Sequence, residues 1–122
     1  MTKEDYYYQG VDLFSEGKLD QAIAAYQKAL EEDPAFTDGL HGLAQAYFAK
    51  GDFDSSIATA QRILEIEPED ILAYTSISRA YQRKGMMREA EEAGNKAPIL
   101  GWKKQLQEQK AKGKRPELLA AT

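Results

Sequence analysis

The chain contains no cysteine and only one histidine, His41, among its 122 residues. The lack of cysteine excludes disulfide bonds, thiolate metal ligands and a cysteine nucleophile. With a single histidine, neither a His/Cys metal cluster nor a catalytic pair with a second histidine can be assembled. The sequence therefore predicts no catalytic residue, no metal and no cofactor, and we expect a protein that is not an enzyme.

Long apolar runs are also missing. No stretch approaches the roughly 20 apolar residues that a membrane-spanning helix needs. Residues 1–5 are polar and largely acidic, without the apolar core of a signal peptide. We therefore expect a cytoplasmic protein with no membrane insertion.

Charge is divided unevenly along the chain. Residues 1–70 carry 5 basic and 15 acidic side chains, a net charge of 5 − 15 = −10, whereas residues 71–122 carry 11 and 5, a net charge of 11 − 5 = +6. This division is compatible with ordinary solvated helix surfaces. It also permits a head-to-tail attraction between the acidic half of one copy and the basic half of another.

A glycine turn occurs three times. The turns begin at Gly17, Gly51 and Gly85, so the step is 51 − 17 = 85 − 51 = 34 residues. Glycine accepts the positive φ angle that ends one helix just before the next begins. Pro34 and Pro68 are separated by the same step and mark the ends of two hairpins. The sequence thus predicts an internal repeat of one helical hairpin.

Apolar residues spaced three to four apart predict the helices of these hairpins. Pro98 is expected to end the sixth helix and to begin a capping helix, in which Trp102 and Leu106 cover the third repeat. A mobile basic tail is expected at 113–122. The predicted helices are 3–16, 19–32, 37–50, 53–66, 71–84 and 87–97, followed by the capping helix at about 99–112.

Small residues at equivalent positions predict that the two helices of each hairpin approach closely. On the first helices these residues are Gly10, Ala44 and Ser78. On the second helices they are Ala22, Ser56 and Ala90.

These positions and the 34-residue step resemble the tetratricopeptide repeat family. Gly94 and Trp102 depart from the family pattern, which has a large residue and a proline there. The resemblance implies an all-α, right-handed superhelix of three hairpins plus a C-terminal capping helix, in one domain at 1–112 with repeats at about 3–36, 37–70 and 71–104. The matching residues are Gly10, Ala22, Tyr26, Ala29 and Pro34, then Leu43, Ala44, Tyr47, Ala60 and Pro68, and finally Ile77, Tyr81, Ala90 and Ala97.

In that family the first helix of each repeat lines a concave binding groove. The positions that carry over to this groove are Tyr7, Val11, Phe14, His41, Gln45, Phe48, Thr75, Arg79, Gln82 and Arg83, with Glu4, Asp38 and Leu72 beside them.

The groove residues suggest how a ligand would be held. Tyr7, Val11, Phe14 and Phe48 lie off the packing stripe of their own helices, with no obvious partner inside the hairpin. Phe14 and Phe48 fit either an exposed groove or the core between repeats. The two arginines fit either a ligand carboxylate or ion pairs with the acidic first half.

We therefore expect a protein–protein interaction module that binds a partner peptide or helix in this groove. Family members that bind chaperone tails hold the terminal carboxylate with Lys, Asn and Arg. The matching positions here lack these donors, which disfavours such a ligand; they are Tyr7, Val11, Gly42, Leu72 and Ser76.

Two other functions remain as alternatives. One is a self-assembling scaffold, a homo-oligomer built through the head-to-tail attraction described above. The other is binding of nucleic acid or an anionic membrane by the basic run at 103–115, which the overall net charge of −4 disfavours.

Overall fold

The computed structural model describes residues 1–111, and its described part consists of six helices without a strand. The predicted all-α fold of three helical hairpins is confirmed. Helices α2, α3 and α4 have the predicted bounds, while α1 and α5 each end one residue earlier. The expected tail at 113–122 and the end of the capping helix at residue 112 lie outside the described residues. The helices are α1 (Lys3–Ser15), α2 (Leu19–Glu32), α3 (Thr37–Lys50), α4 (Phe53–Ile66), α5 (Ile71–Arg83) and α6 (Met87–Ala111).

Local chemistry explains where the helices begin and end. Thr2 and Asp5 form a reciprocal capping box at the start of α1. Asp70 caps α5, as the sequence predicts, because its carboxylate accepts the backbone N–H of Ala73. At the three hairpin turns, the glycines that define the repeat have φ angles between +78° and +90°, where a side chain would be strained.

Two apolar clusters hold the hairpins together. The first joins hairpins one and two and extends to Ala73 of hairpin three, and the second joins hairpins two and three. The first contains Ala22, Ile23, Tyr26, Leu30, Leu40, Leu43, Ala46, Ile63 and Ala73. The second contains Ile57, Ala60, Ile77, Ala80 and Ala93.

The predicted close contacts within the hairpins depend on different chemistry in each repeat. In hairpin one, Gly10 lies against the ring of Tyr26. In hairpin two, the Ser56 hydroxyl donates a buried hydrogen bond of 2.9 Å to the carbonyl oxygen of Ala44. In hairpin three, the direction is reversed, since Ser78 on the first helix donates to Ala90 on the second at 2.8 Å.

The expected break at Pro98 is wrong. Helix α6 continues through Pro98 to Ala111, so the capping segment is an extension of α6 and not a separate helix. A proline inside a helix removes one hydrogen bond and costs about 3 kcal/mol, but the residues around it can still form theirs. Trp102 is 64% exposed, so it does not cover the third repeat, whereas Leu106 is half-buried.

None of the six helices in the described part of the chain is long and apolar enough to cross a membrane.

Candidate binding groove

The first helices of the three hairpins lie side by side, because α3 contacts both α1 and α5. Between them is an open cavity of about 340 Å³. It brings together four of the predicted groove residues, namely Phe14, Gln45, Phe48 and Arg79. Its other lining residues are small and were not predicted to lie in the groove: Ala44, Ala49, Ser56 and Ser76.

Phe48 belongs both to the core and to the groove. Its ring is half-buried, packs on the second apolar cluster and meets Phe53 edge-on at 5.4 Å between centroids. One side still lines the cavity. Phe14 is placed in the same way, on the first cluster and at the cavity wall. The two sequence alternatives for these rings are therefore both partly correct.

Two arginines stack on the Phe48 ring. The guanidinium carbon of Arg79 is 4.7 Å from its centroid, and that of Arg83 is 5.5 Å from Phe48 and 5.2 Å from Phe53. Such cation–π contacts orient the guanidinium groups without using up their hydrogen-bond donors. Within residues 1–111, no carboxylate pairs with either arginine. The ion pairs with the acidic half that the sequence allowed are thus not formed there.

Tyr7 lies in an aromatic cluster. Its ring centroid is 5.4 Å from Tyr8, 5.9 Å from Tyr26 and 5.7 Å from Phe36. The expectation that Tyr7 has no partner inside its hairpin is wrong, because Tyr26 belongs to α2. Burial raises the pKa of Tyr7, and the nearby charge of Asp38 adds to this effect. Tyr7 is thus half-buried among aromatic residues and does not line the cavity.

His41 connects two first helices. Its Nε2 atom lies 3.0 Å from Oδ2 of Asp70, the cap of α5. Burial raises the pKa of Asp70, but the hydrogen bonds from Ala73 and His41 outweigh it, so the pKa lies below its ordinary value. The contact assigns His41 a role in joining α3 to α5.

The remaining predicted residues line the same side of the repeats but lie outside the cavity. Val11 is 39% exposed. The Thr75 hydroxyl donates to the carbonyl of Ile71 within its own helix. Gln82 is exposed. Sequence reasoning assigned Ala44 and Ser56 to contacts within the hairpin and did not place Ala49 or Ser76 in the groove, although all four line the cavity.

A larger cavity lies elsewhere. It has a volume of about 890 Å³ and separates the start of α5 from the end of α6. Its walls mix exposed Leu72 with Glu67, Glu69 and Lys104. None of the ten predicted groove residues lines it.

A family model connects this fold to known proteins. The tetratricopeptide repeat model matches residues 13–80, which is 80 − 13 + 1 = 68 of the 122 residues. The chain therefore belongs to the tetratricopeptide repeat family, and its hairpins form the right-handed superhelix of that family.

Several solved structures are similar to it. MamA is 32% identical, with a TM-score of 0.81 over 84% of this chain and 60% of the MamA chain. This chain thus spans less than two thirds of MamA.

Two further structures share the fold at lower identity. The first tetratricopeptide domain of Spaghetti (RPAP3), solved with the HSP90 peptide SRMEEVD, is 22% identical, with a TM-score of 0.77 over 81% of this chain and 79% of that one. SycD, a type III secretion translocator chaperone of Yersinia enterocolitica, is 20% identical, with a TM-score of 0.79 over 90% of this chain and 84% of that one. The comparison with curated proteins gives no match.

Proposed function

We propose that the concave face binds an extended peptide or helix of a partner protein, and that the module itself is not catalytic. The observation that carries the proposal is the cavity beside Phe48, where two aromatic rings and small residues adjoin the oriented guanidinium group of Arg79, and Arg83 stacks on the same Phe48 ring. Concave faces of stacked helical repeats are used for this kind of recognition.

The cavity favours a particular ligand chemistry. An apolar ligand side chain would lie over Ala44 and Ala49, between the rings of Phe14 and Phe48. Its volume of about 340 Å³ is at the lower end of ordinary binding pockets. A carboxylate on a neighbouring ligand residue would bind Arg79, whose planar group offers two parallel donors. We therefore expect a ligand with an apolar residue next to an acidic one.

The peptide of the RPAP3 complex is a useful contrast. That domain binds an HSP90 peptide ending in Glu-Glu-Val-Asp. At the positions that hold a terminal carboxylate in chaperone-tail binders, this chain has Tyr7, Val11, Gly42, Leu72 and Ser76. None of them is cationic, so we expect the arginine pair to recognise an internal acidic side chain.

A selection from a displayed random-peptide library tests the proposal. Peptides selected on the unmodified protein should carry the apolar–acidic pair. They should bind Arg79→Ala about thirtyfold more weakly, because a buried anchor of an interface commonly contributes about 2 kcal/mol. The affinities can be measured by fluorescence anisotropy on labelled copies of the selected peptides.

Arg62→Ala is the matched control, because it removes the same charge from an exposed position on α4 beside a separate cavity. It should leave peptide affinity unchanged. Failure to enrich any peptide, or equal losses in both variants, would contradict binding at the concave face.

A further inference from the structure

An ion pair recurs at both interfaces between repeats. Lys50 at the end of α3 lies 2.7 Å from the carboxylate of Asp20 at the start of α2. One repeat later, Lys84 pairs with Asp54. The spacing is that of the repeat, since 84 − 50 = 54 − 20 = 34. Each pair joins the second helix of one hairpin to the chain at the end of the first helix of the next hairpin.

At the two ends of the stack, the same positions hold the opposite charges. The lysine position in the first repeat is Glu16, since 50 − 34 = 16, and the aspartate position in the third repeat is Arg88, since 54 + 34 = 88. Both side chains are exposed. If the first hairpin of a second copy followed the third hairpin, Glu16 would face Arg88. The ion pair would form again with its signs exchanged.

A second pair of positions is exchanged in the same way. Inside the stack, the ring of Tyr26 on α2 packs against Gly42 on α3. The equivalent of Tyr26 in the third repeat is Gly94, since 26 + 68 = 94, and the equivalent of Gly42 in the first repeat is Tyr8, since 42 − 34 = 8. Tyr8 is 63% exposed. The exposed ring of Tyr8 and the glycine that leaves space for a ring, Gly94, thus lie at opposite ends of the stack of hairpins.

We propose that these two ends bind each other, so that a second copy of this chain stacks head to tail and continues the superhelix. In this contact, Arg88 of one copy pairs with Glu16 of the next, and Tyr8 of the next copy packs over Gly94. Because the contact joins two different surfaces, it propagates into short filaments. It does not involve the predicted peptide groove.

Other features of these ends limit the strength of the contact. Asp12 and Glu91 occupy positions that are apolar in the inner repeats, where Ala46 and Ile57 are buried. The contact therefore buries less apolar surface than an inner interface and depends on charge. Exposed pairs such as Lys18–Glu16, at 3.1 Å, must rearrange, but such pairs contribute little.

Within the described residues, the extension of α6 begins far along the helix from Arg88. Arg88 lies in the first turn of α6, and 101 − 88 = 13 residues separate it from residue 101, the first position beyond the equivalent of Ile66 at the end of α4 (66 + 34 = 100). At 1.5 Å per residue, this distance is about 20 Å.

Two single charge reversals test the contact by sedimentation equilibrium. Arg88→Glu alone and Glu16→Arg alone each create like charges across the contact and should weaken self-association at least about tenfold. In an equimolar mixture, every contact between unlike variants has opposite charges again. The mixture should therefore regain the concentration-dependent mass of the unmodified protein.

Salt, the aromatic ring and the like charges supply further readouts. The mass of the unmodified protein should rise with concentration at low ionic strength and fall in 1 M salt, where the screening length is about 3 Å. Tyr8→Gly should weaken association, and Glu91→Ala should strengthen it. A protein that stays monomeric at millimolar concentration and low salt would overturn the proposal. Association that neither single reversal weakens would do the same.

Discussion

Hairpin one and hairpin three pack their two helices together with side chains of different size. In hairpin one, a large ring on the second helix, Tyr26, faces Gly10 on the first. In hairpin three, the second helix has Gly94, and the first has Ser78, whose hydroxyl would lie 3.0 Å from a Cβ atom added at that glycine. The space between the two helices is therefore filled from the second helix in hairpin one and from the first helix in hairpin three.

The comparison shows that equivalent positions of the repeat fill the space between the paired helices with different residues. The ring of Tyr26 also reaches the next hairpin, because a Cβ atom added at Gly42 would lie 2.6 Å from it. One side chain thereby holds together two helices of its own hairpin and one of the next. Hairpin three has no such residue in the described part of the chain and relies on the Ser78–Ala90 hydrogen bond. Stability should therefore be most sensitive to change at Tyr26.

Tyr26→Ala is expected to have the largest effect. The side chain is 3% exposed, and removing a buried aromatic ring leaves a cavity that costs about 3–5 kcal/mol. Urea unfolding followed by circular dichroism measures the loss. Burial raises the pKa of Tyr26 to about 12, in keeping with an apolar site.

Tyr26→Phe is the control for this change, because it keeps the ring and removes only the hydroxyl. It should cost less than about 1.5 kcal/mol. Equal losses for the two variants would mean that the hydroxyl, and not the volume of the ring, stabilises hairpin one.

Gly42→Ala should have the next largest effect on the free energy of unfolding. The sign of that effect should depend on whether the Tyr26 ring is present. The added methyl group would meet the Tyr26 ring, which is fixed on its other face by Gly10, so overpacking should cost about 1–3 kcal/mol. In a Tyr26→Ala background the ring is absent, and alanine should instead stabilise the helix by up to about 1 kcal/mol. A double-mutant cycle in urea measures this coupling.

The decisive result is whether Gly42→Ala destabilises the protein when Tyr26 is present and stabilises it when Tyr26 is replaced by alanine. If Gly42→Ala destabilised both backgrounds equally, the glycine would be required for a reason other than contact with the ring.

The fold could be predicted from the sequence because the same turn and packing signals occur in successive repeats. The glycines at the turns, the prolines at 34 and 68, and the small positions all recur at 34 residues, so the first five helices could be placed within one residue. Pro98 has no such counterpart, and local rules alone predicted a break there. A proline destabilises a helix but does not always end it, because the surrounding hydrogen bonds determine whether the helix continues.

The groove was less predictable than the fold. Family positions identified which helices line it, but not how side chains share space across repeats. Tyr7 was expected to have no partner inside its hairpin, yet Tyr26 on α2 and Phe36, the residue that caps α3, pack on it. The stacking of Arg79 on Phe48 likewise joins residues 31 positions apart, since 79 − 48 = 31. Such contacts depend on packing between helices, which the spacing of one helix does not encode.

Ser78→Ala is expected to have the smallest effect of the three substitutions. It removes the hydrogen bond to Ala90 but leaves a small side chain that hairpin two already accepts at the equivalent position, Ala44. The loss should be about 0.5–1.5 kcal/mol, because the acceptor carbonyl also has its own partner within α6. Ser76→Ala, at a half-buried position two residues away, is the matched control in the same urea titration and should cost less. If Ser78→Ala cost as much as Tyr26→Ala, hydrogen bonding and not filled volume would be the dominant contact between paired helices, and the contrast between the hairpins would be lost.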